Sequence, residues 1–133
     1  MKKIFILVLA LNSLFVATHA AQAQNGGKAE PNRIEFKRGA HSATLKGRVR
    51  GDEEAEYSFG AGAGQAISIS VSSVPANAIA VEIKSPNGDA LELQRNGKIW
   101  TGTLPEAGDY FMVVKLATGF TRRVNYTLTV TIK

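Results

Sequence analysis

The sequence predicts an all-β protein, a sandwich of two antiparallel sheets or a closed barrel, assembled from eight or nine short strands. Three observations carry this. Apolar residues recur at every second position in short runs, the period of a strand with one buried face, and no run keeps helical spacing for three turns. Between the runs stand clusters of Gly, Pro, Asn and Asp, the residues that tight turns demand. The chain also lacks cysteine, so the domain must stand on apolar burial alone, which about 110 residues can achieve.

The first residues read as an export signal and not as part of the fold. Lys2 and Lys3 precede an apolar stretch from Ile4 to Val16, followed by small residues at Ala17, Ala20, Ala21 and Ala23. That order is basic start, short apolar middle and small-residue cleavage site. The stretch falls short of the roughly 20 residues that cross a bilayer. Cleavage fits after Ala20 or after Ala23, and Ala21-Gln22-Ala23 has alanine at both required positions. The organisation expected is a signal peptide over 1–23, a flexible segment over 24–32 and one β domain over 33–133. Without cysteine there is no lipid anchor, so an exported, soluble protein is expected.

The inward positions follow in order. They are Ile34 and Phe36; Ala43, Leu45, Gly47 and Val49; Tyr57 and Phe59; Ile67, Ile69 and Val71; then Ile79, Val81 and Ile83. Further on come Leu91 and Leu93; Trp100, Gly102 and Leu104; Tyr110, Met112 and Val114; and Tyr126, Leu128, Val130 and Ile132. Turns are expected at Gly51-Asp52, Ala63-Gly64-Gln65, Ser85 to Gly88, Asn96-Gly97 and Pro105 to Asp109. Phe111 and Val113 make one strand apolar on both faces. It is read as a central strand covered twice, the alternative being an apolar patch offered to a partner.

Chemistry finds little support. The run Gly60 to Gly64 lacks the lysine and hydroxyl residue of a phosphate loop and reads as a hairpin turn. His41 is the one histidine beyond the signal, and no serine stands in a nucleophile elbow, so no nucleophile and base pair is evident. Asp52, Glu53, Glu54 and Glu56 lack the spacing of a calcium loop, and no zinc ligand set is present. No enzyme, metal or cofactor is expected.

Loss of Lys2 and Lys3 lowers the formal charge from +5 to +3, far from the dense basic field of a nucleic-acid binder. Lys46, Arg48 and Arg50 share the solvent face of one strand. A hairpin through Gly51 would set Glu54 and Glu56 beside them as counter-charges, leaving an anion-binding stripe as the other reading. The segment Ala117 to Asn125 carries Phe120, Arg122 and Arg123 between the last two strands. Arginine and an aromatic on a loop are the composition of an interface hot spot.

The run Ile34-Glu35-Phe36-Lys37-Arg38-Gly39, with Ser42-Ala43-x-Leu45-x-Gly47, Tyr57-x-Phe59 and Ala63-Gly64-Gln65-x-Ile67-x-Ile69-x-Val71, resembles the periplasmic inhibitors of goose-type lysozyme. Trp100-x-Gly102-x-Leu104-Pro105-x-x-Gly108-Asp109-Tyr110 and Asn125-Tyr126-x-Leu128-x-Val130 are similar to the same family. They also resemble the wider class of bacterial pre-peptidase C-terminal domains. The resemblance covers Arg33 to Lys133 and implies a jelly-roll-like β-sandwich, a periplasmic location and goose-type lysozyme as partner. By position it implies contacts through Arg122 and Arg123, with Asp52 and Glu54 on a second contact turn where the family carries tyrosine; Phe120 joins the expected contacts on loop composition. The other function it implies is a non-catalytic module that binds envelope polysaccharide or a secreted protein.

Overall fold

A computed structural model describes residues 30–133; the signal-peptide reading and most of the 24–32 segment lie outside the described residues. The chain runs through β1 (Asn32–Arg33), β2 (Ser42–Val49), β3 (Glu54–Ala61), β4 (Gln65–Val74) and β5 (Ile79–Lys84). It continues through β6 (Ala90–Leu91), β7 (Gln94–Asn96), β8 (Ile99–Leu104), β9 (Gly108–Leu116) and β10 (Val124–Ile132). Two five-stranded sheets result, ordered β1-β3-β9-β5-β6 and β2-β10-β4-β8-β7. Every pairing is antiparallel except β1 with β3. The fold is the expected sandwich.

The period-2 pattern decides which residues fill the space between the layers. Ile67, Ile69 and Val71 from β4 and Tyr126, Leu128, Val130 and Ile132 from β10 meet Phe59, Ile83, Tyr110, Met112 and Val114 from the other sheet in one core. Phe59 and Tyr110 stack, with ring centroids 5.5 Å apart. The Tyr57 and Tyr126 hydroxyls share a buried hydrogen bond of 2.7 Å that ties one sheet to the other. Gly47 makes room for it, since a Cβ there would overlap the Tyr126 hydroxyl oxygen.

Four expectations are corrected. First, the connections at Gly51 and at Gly60 to Gly64 are not hairpins, because each joins strands of opposite sheets, as does the connection from Ala117 to Arg123. Alternation fixes the face a strand buries but not the neighbour it pairs with, and here consecutive strands face each other across the core. Second, the Leu91 and Leu93 run is divided: β6 stays with β5 in one sheet, and β7 pairs with β8 in the other. Third, β9 is the middle strand of its sheet but is covered on one face only, leaving Phe111 41% exposed and Val113 half-buried. Fourth, Glu54 and Glu56 do not lie beside Lys46, Arg48 and Arg50, since β3 pairs with β9 and β2 with β10.

Candidate functional site

Where β10 begins, buried Val124 pairs with Val49 and fixes the end of the loop before it. That loop, residues 117–123, is held at three points. The Ala117 amide donates to Ala78 O at 2.8 Å, the Phe120 amide to Ala117 O at 3.2 Å, and the Gly51 amide to Thr121 O at 2.9 Å. Gly119 turns the backbone with φ of 94°, a value that glycine adopts without strain. Phe120 was expected at the exposed tip; instead it is half-buried and packs against the core, so it anchors the loop.

Arg122 and Arg123 are exposed, and neither makes an ion pair or hydrogen bond among the described residues. Arg123 directly precedes Val124 and Arg50 directly follows Val49, so both arginines leave the β2–β10 ladder at its same end. The Gly51 turn therefore lies next to the arginine loop, and the Gly51–Thr121 hydrogen bond joins the two segments singled out in the sequence. Arg50 Nε donates to Glu53 Oε1 at 3.2 Å, while Asp52 stays exposed at the turn. Glu54 opens β3 directly after this turn and stands opposite Lys115 on the outer side of the other sheet.

The basic stripe joins the same cluster. Lys46 and Arg48 are exposed on the outer face of β2, opposite Thr127 and Asn125, and carry no ion pair among the described residues. With their expected counter-charges on the other sheet, they extend the positive surface from Arg122 and Arg123 down the edge strand. A shallow depression of about 520 Å³ lies against it, lined by Lys46, Ser72, Val74, Asn125 and Thr127 among others. Val74, paired with Asn125, is 88% exposed and was not foreseen. Its place at the end of a β4 run that alternates up to Val71 gave no sign of projection; only the adjoining Pro75 hinted that the strand ends there.

Chemically the arrangement is a surface that receives an anion or a carboxylate. Guanidinium groups form forked, charge-assisted hydrogen bonds with carboxylates, and those free of internal partners lose none on binding. Among the described residues no three His, Asp or Glu side chains are placed to hold a metal ion. No described helix is long and apolar enough to cross a membrane.

No family model and no curated protein sequence matches the chain. Solved structures do. PliG of Aeromonas hydrophila, a periplasmic lysozyme inhibitor of g-type lysozyme, superposes with a TM-score of 0.69 at 25% identity, over 77% of this chain and 96% of its own. PliG of Salmonella Typhimurium, also a periplasmic lysozyme inhibitor of g-type lysozyme, gives a TM-score of 0.66 at 25% identity, over 80% of this chain and 100% of its own. The pre-peptidase C-terminal domain of Bacillus anthracis collagenase shares the fold, with a TM-score of 0.57 at 21% identity over 82% of this chain and 100% of its own. The chain is thus similar in structure to both groups that its sequence resembles.

Proposed function

We propose that this protein is a periplasmic inhibitor of goose-type lysozyme that blocks the substrate cleft with the loop carrying Arg122 and Arg123. The observation that carries the reading is the pair of exposed guanidinium groups, without a partner among the described residues, on a loop pinned to the Gly51 turn. Whole-domain similarity to two g-type lysozyme inhibitors supports it. A glycosidase cleft presents carboxylates on either side of the scissile bond. An arginine entering that cleft pairs with one of them and excludes the polysaccharide, while Phe120 and the Thr121 contact keep the loop from collapsing. Asp52 and the exposed Val74 flank the loop and serve as rim contacts. Glu54, exposed where β3 leaves the Gly51 turn, completes the second contact from the side of the other sheet.

Titrating the purified protein against goose-type and hen-type lysozyme in a cell-wall lysis assay tests this. Inhibition of the goose-type enzyme is expected, and unchanged lysis by both enzymes would end the proposal. Arg122→Ala and Arg123→Ala should each weaken inhibition by about 30-fold or more, the loss typical of a hot-spot arginine. Their thermal midpoints should match the parent because neither side chain holds the fold together.

Lys46 and Arg48, beside Thr127 and Asn125 and with no ion pair among the described residues, favour one other reading, a module that binds an anionic envelope polysaccharide. Retention on envelope glycan with no lysozyme present, lost in Lys46→Ala and Arg48→Ala but kept in Arg122→Ala, separates it from inhibition.

A further inference from the structure

The outer face of the sheet ordered β1-β3-β9-β5-β6 carries its apolar residues at the centre of the middle strand. Phe111 is 41% exposed there, with Val113 beside it half-buried. We propose that this face binds a second copy of the chain, related by a two-fold axis that crosses the strands midway between Phe111 and Val113.

The argument is the order of outward residues along β9, which reads Asp109, Phe111, Val113, Lys115. An identical strand laid face to face and antiparallel sets Asp109 against the other copy's Lys115, and Phe111 against its Val113. The neighbouring strands obey the same operation. On β5, Glu82 shares a row with Val113 and Lys84 shares a row with Phe111, so Glu82 meets Lys84 of the second copy. At the opposite edge, Arg33 reaches across Gly60 to an ion pair of 2.7 Å with Asp109, in the row that the operation lays over Glu54. Three opposite-charge matches and one apolar match thus follow from one axis. The other two-fold, running along β9, would set Glu56 against Glu82 and Lys115 against itself. Electrostatic complementarity selects between such registers by penalising like-charge contacts.

Self-association has room to occur here. Strands of two, eight, nine, six and two residues across the sheet, at about 3.4 Å per residue and about 4.8 Å apart, present roughly 440 Å² in projection, the size of a weak and reversible interface. Sheets pack face to face at a small angle set by their twist, which this geometry permits. The pairs of Lys115 with Glu82 at 2.7 Å and Arg33 with Asp109 are solvent-exposed, so both can re-partner at little cost. Because the axis reverses strand direction, the two arginine loops emerge at opposite ends of the pair. Both stay open, and the assembly is bivalent.

The test is sedimentation velocity of the purified protein across micromolar to millimolar concentration, with no lysozyme present. The parent should pass reversibly from monomer to dimer, and Phe111→Ser should remain monomeric with its thermal midpoint retained. Lys84→Glu and Glu82→Lys should each weaken self-association by about tenfold or more, because each fills the central rows with one sign of charge. An equimolar mixture of these two variants should recover the dimer, since each supplies the sign the other lacks. A merely structural effect of either change cannot produce that recovery. A parent that stays monomeric throughout, or a mixture no more associated than its components, overturns the proposal. So does a Phe111→Ser variant that loses lysozyme inhibition with its association unchanged, which assigns the face to a different partner. Failure of the lysozyme reading alone leaves these measurements unaffected.

Discussion

At the scale of single residues, the Tyr57–Tyr126 hydrogen bond shows how a small residue and a large one are chosen together. Tyr126 reaches its partner only by lying across the backbone of β2, and Gly47 is the position that admits it. Gly47→Ala forces the ring aside and should cost about 1 to 3 kcal/mol, as overpacking generally does, read as a lowered urea midpoint at unchanged slope. Burial, with the hydrogen bond to Tyr57 second, raises the Tyr126 phenol above its ordinary value of 10.0. The sign follows from linkage. Below pH 10 both folded and unfolded chains keep the proton; above it only the unfolded chain releases it. The group's contribution is therefore intact at neutral pH and is lost as pH rises beyond about 10, at up to about 1.4 kcal/mol per pH unit. Tyr126→Phe should flatten that alkaline decline when stability is followed by denaturant titration at pH 9 to 11. At neutral pH the same change should cost about 1 to 3 kcal/mol, because it leaves the Tyr57 hydroxyl buried without its partner.

Among elements, the loop of residues 117–123 depends on contacts that its own composition does not reveal. Its arginines and aromatic marked it in the sequence, and they were read as one exposed set. The structure divides them: Phe120 turns inward to the core while Arg122 and Arg123 stay outside. An anchored loop loses less conformational entropy on binding than a free one. Phe120→Ala should therefore weaken lysozyme inhibition several-fold with both arginines intact, and faster exchange of the Gly51 amide with solvent should accompany it. Val74 illustrates the reverse case, a residue that composition would place inside but that the end of β4 leaves in water. The Lys46, Arg48 and Arg50 stripe was found from its spacing, yet its surroundings were misjudged because β3 crosses to the opposite sheet.

For the molecule as a whole, the two faces of the sandwich differ in character. The sheet that contains β10 turns outward Thr127, Thr129 and Thr131 beside Ser68, Ser70 and Ser72, with Lys46 and Arg48 at one edge. The sheet centred on β9 turns out a nearly balanced set of charges around Phe111. The first arrangement leaves a net positive surface continuous with the arginine loop, so binding to a carboxylate-bearing cleft should weaken as salt is raised from about 50 to 500 mM. Arg122→Ala should show a shallower salt dependence than the parent when inhibition is measured over that range.

The sequence by itself determined the class of the fold and the membership of its core, because period-2 burial and turn chemistry are local properties that each strand displays unaided. It also marked Arg122 and Arg123, since charged residues on a connection stay in water whichever strands they join. Only the tertiary structure decided which strand lies beside which. Pairing depends on how the chain crosses from layer to layer, and identical alternation serves a hairpin and an inter-sheet crossing equally well. That choice left Lys46 and Arg48 without their expected acids, brought the Gly51 turn to the arginine loop, and uncovered one side of β9 where two-sided burial had been the simpler expectation.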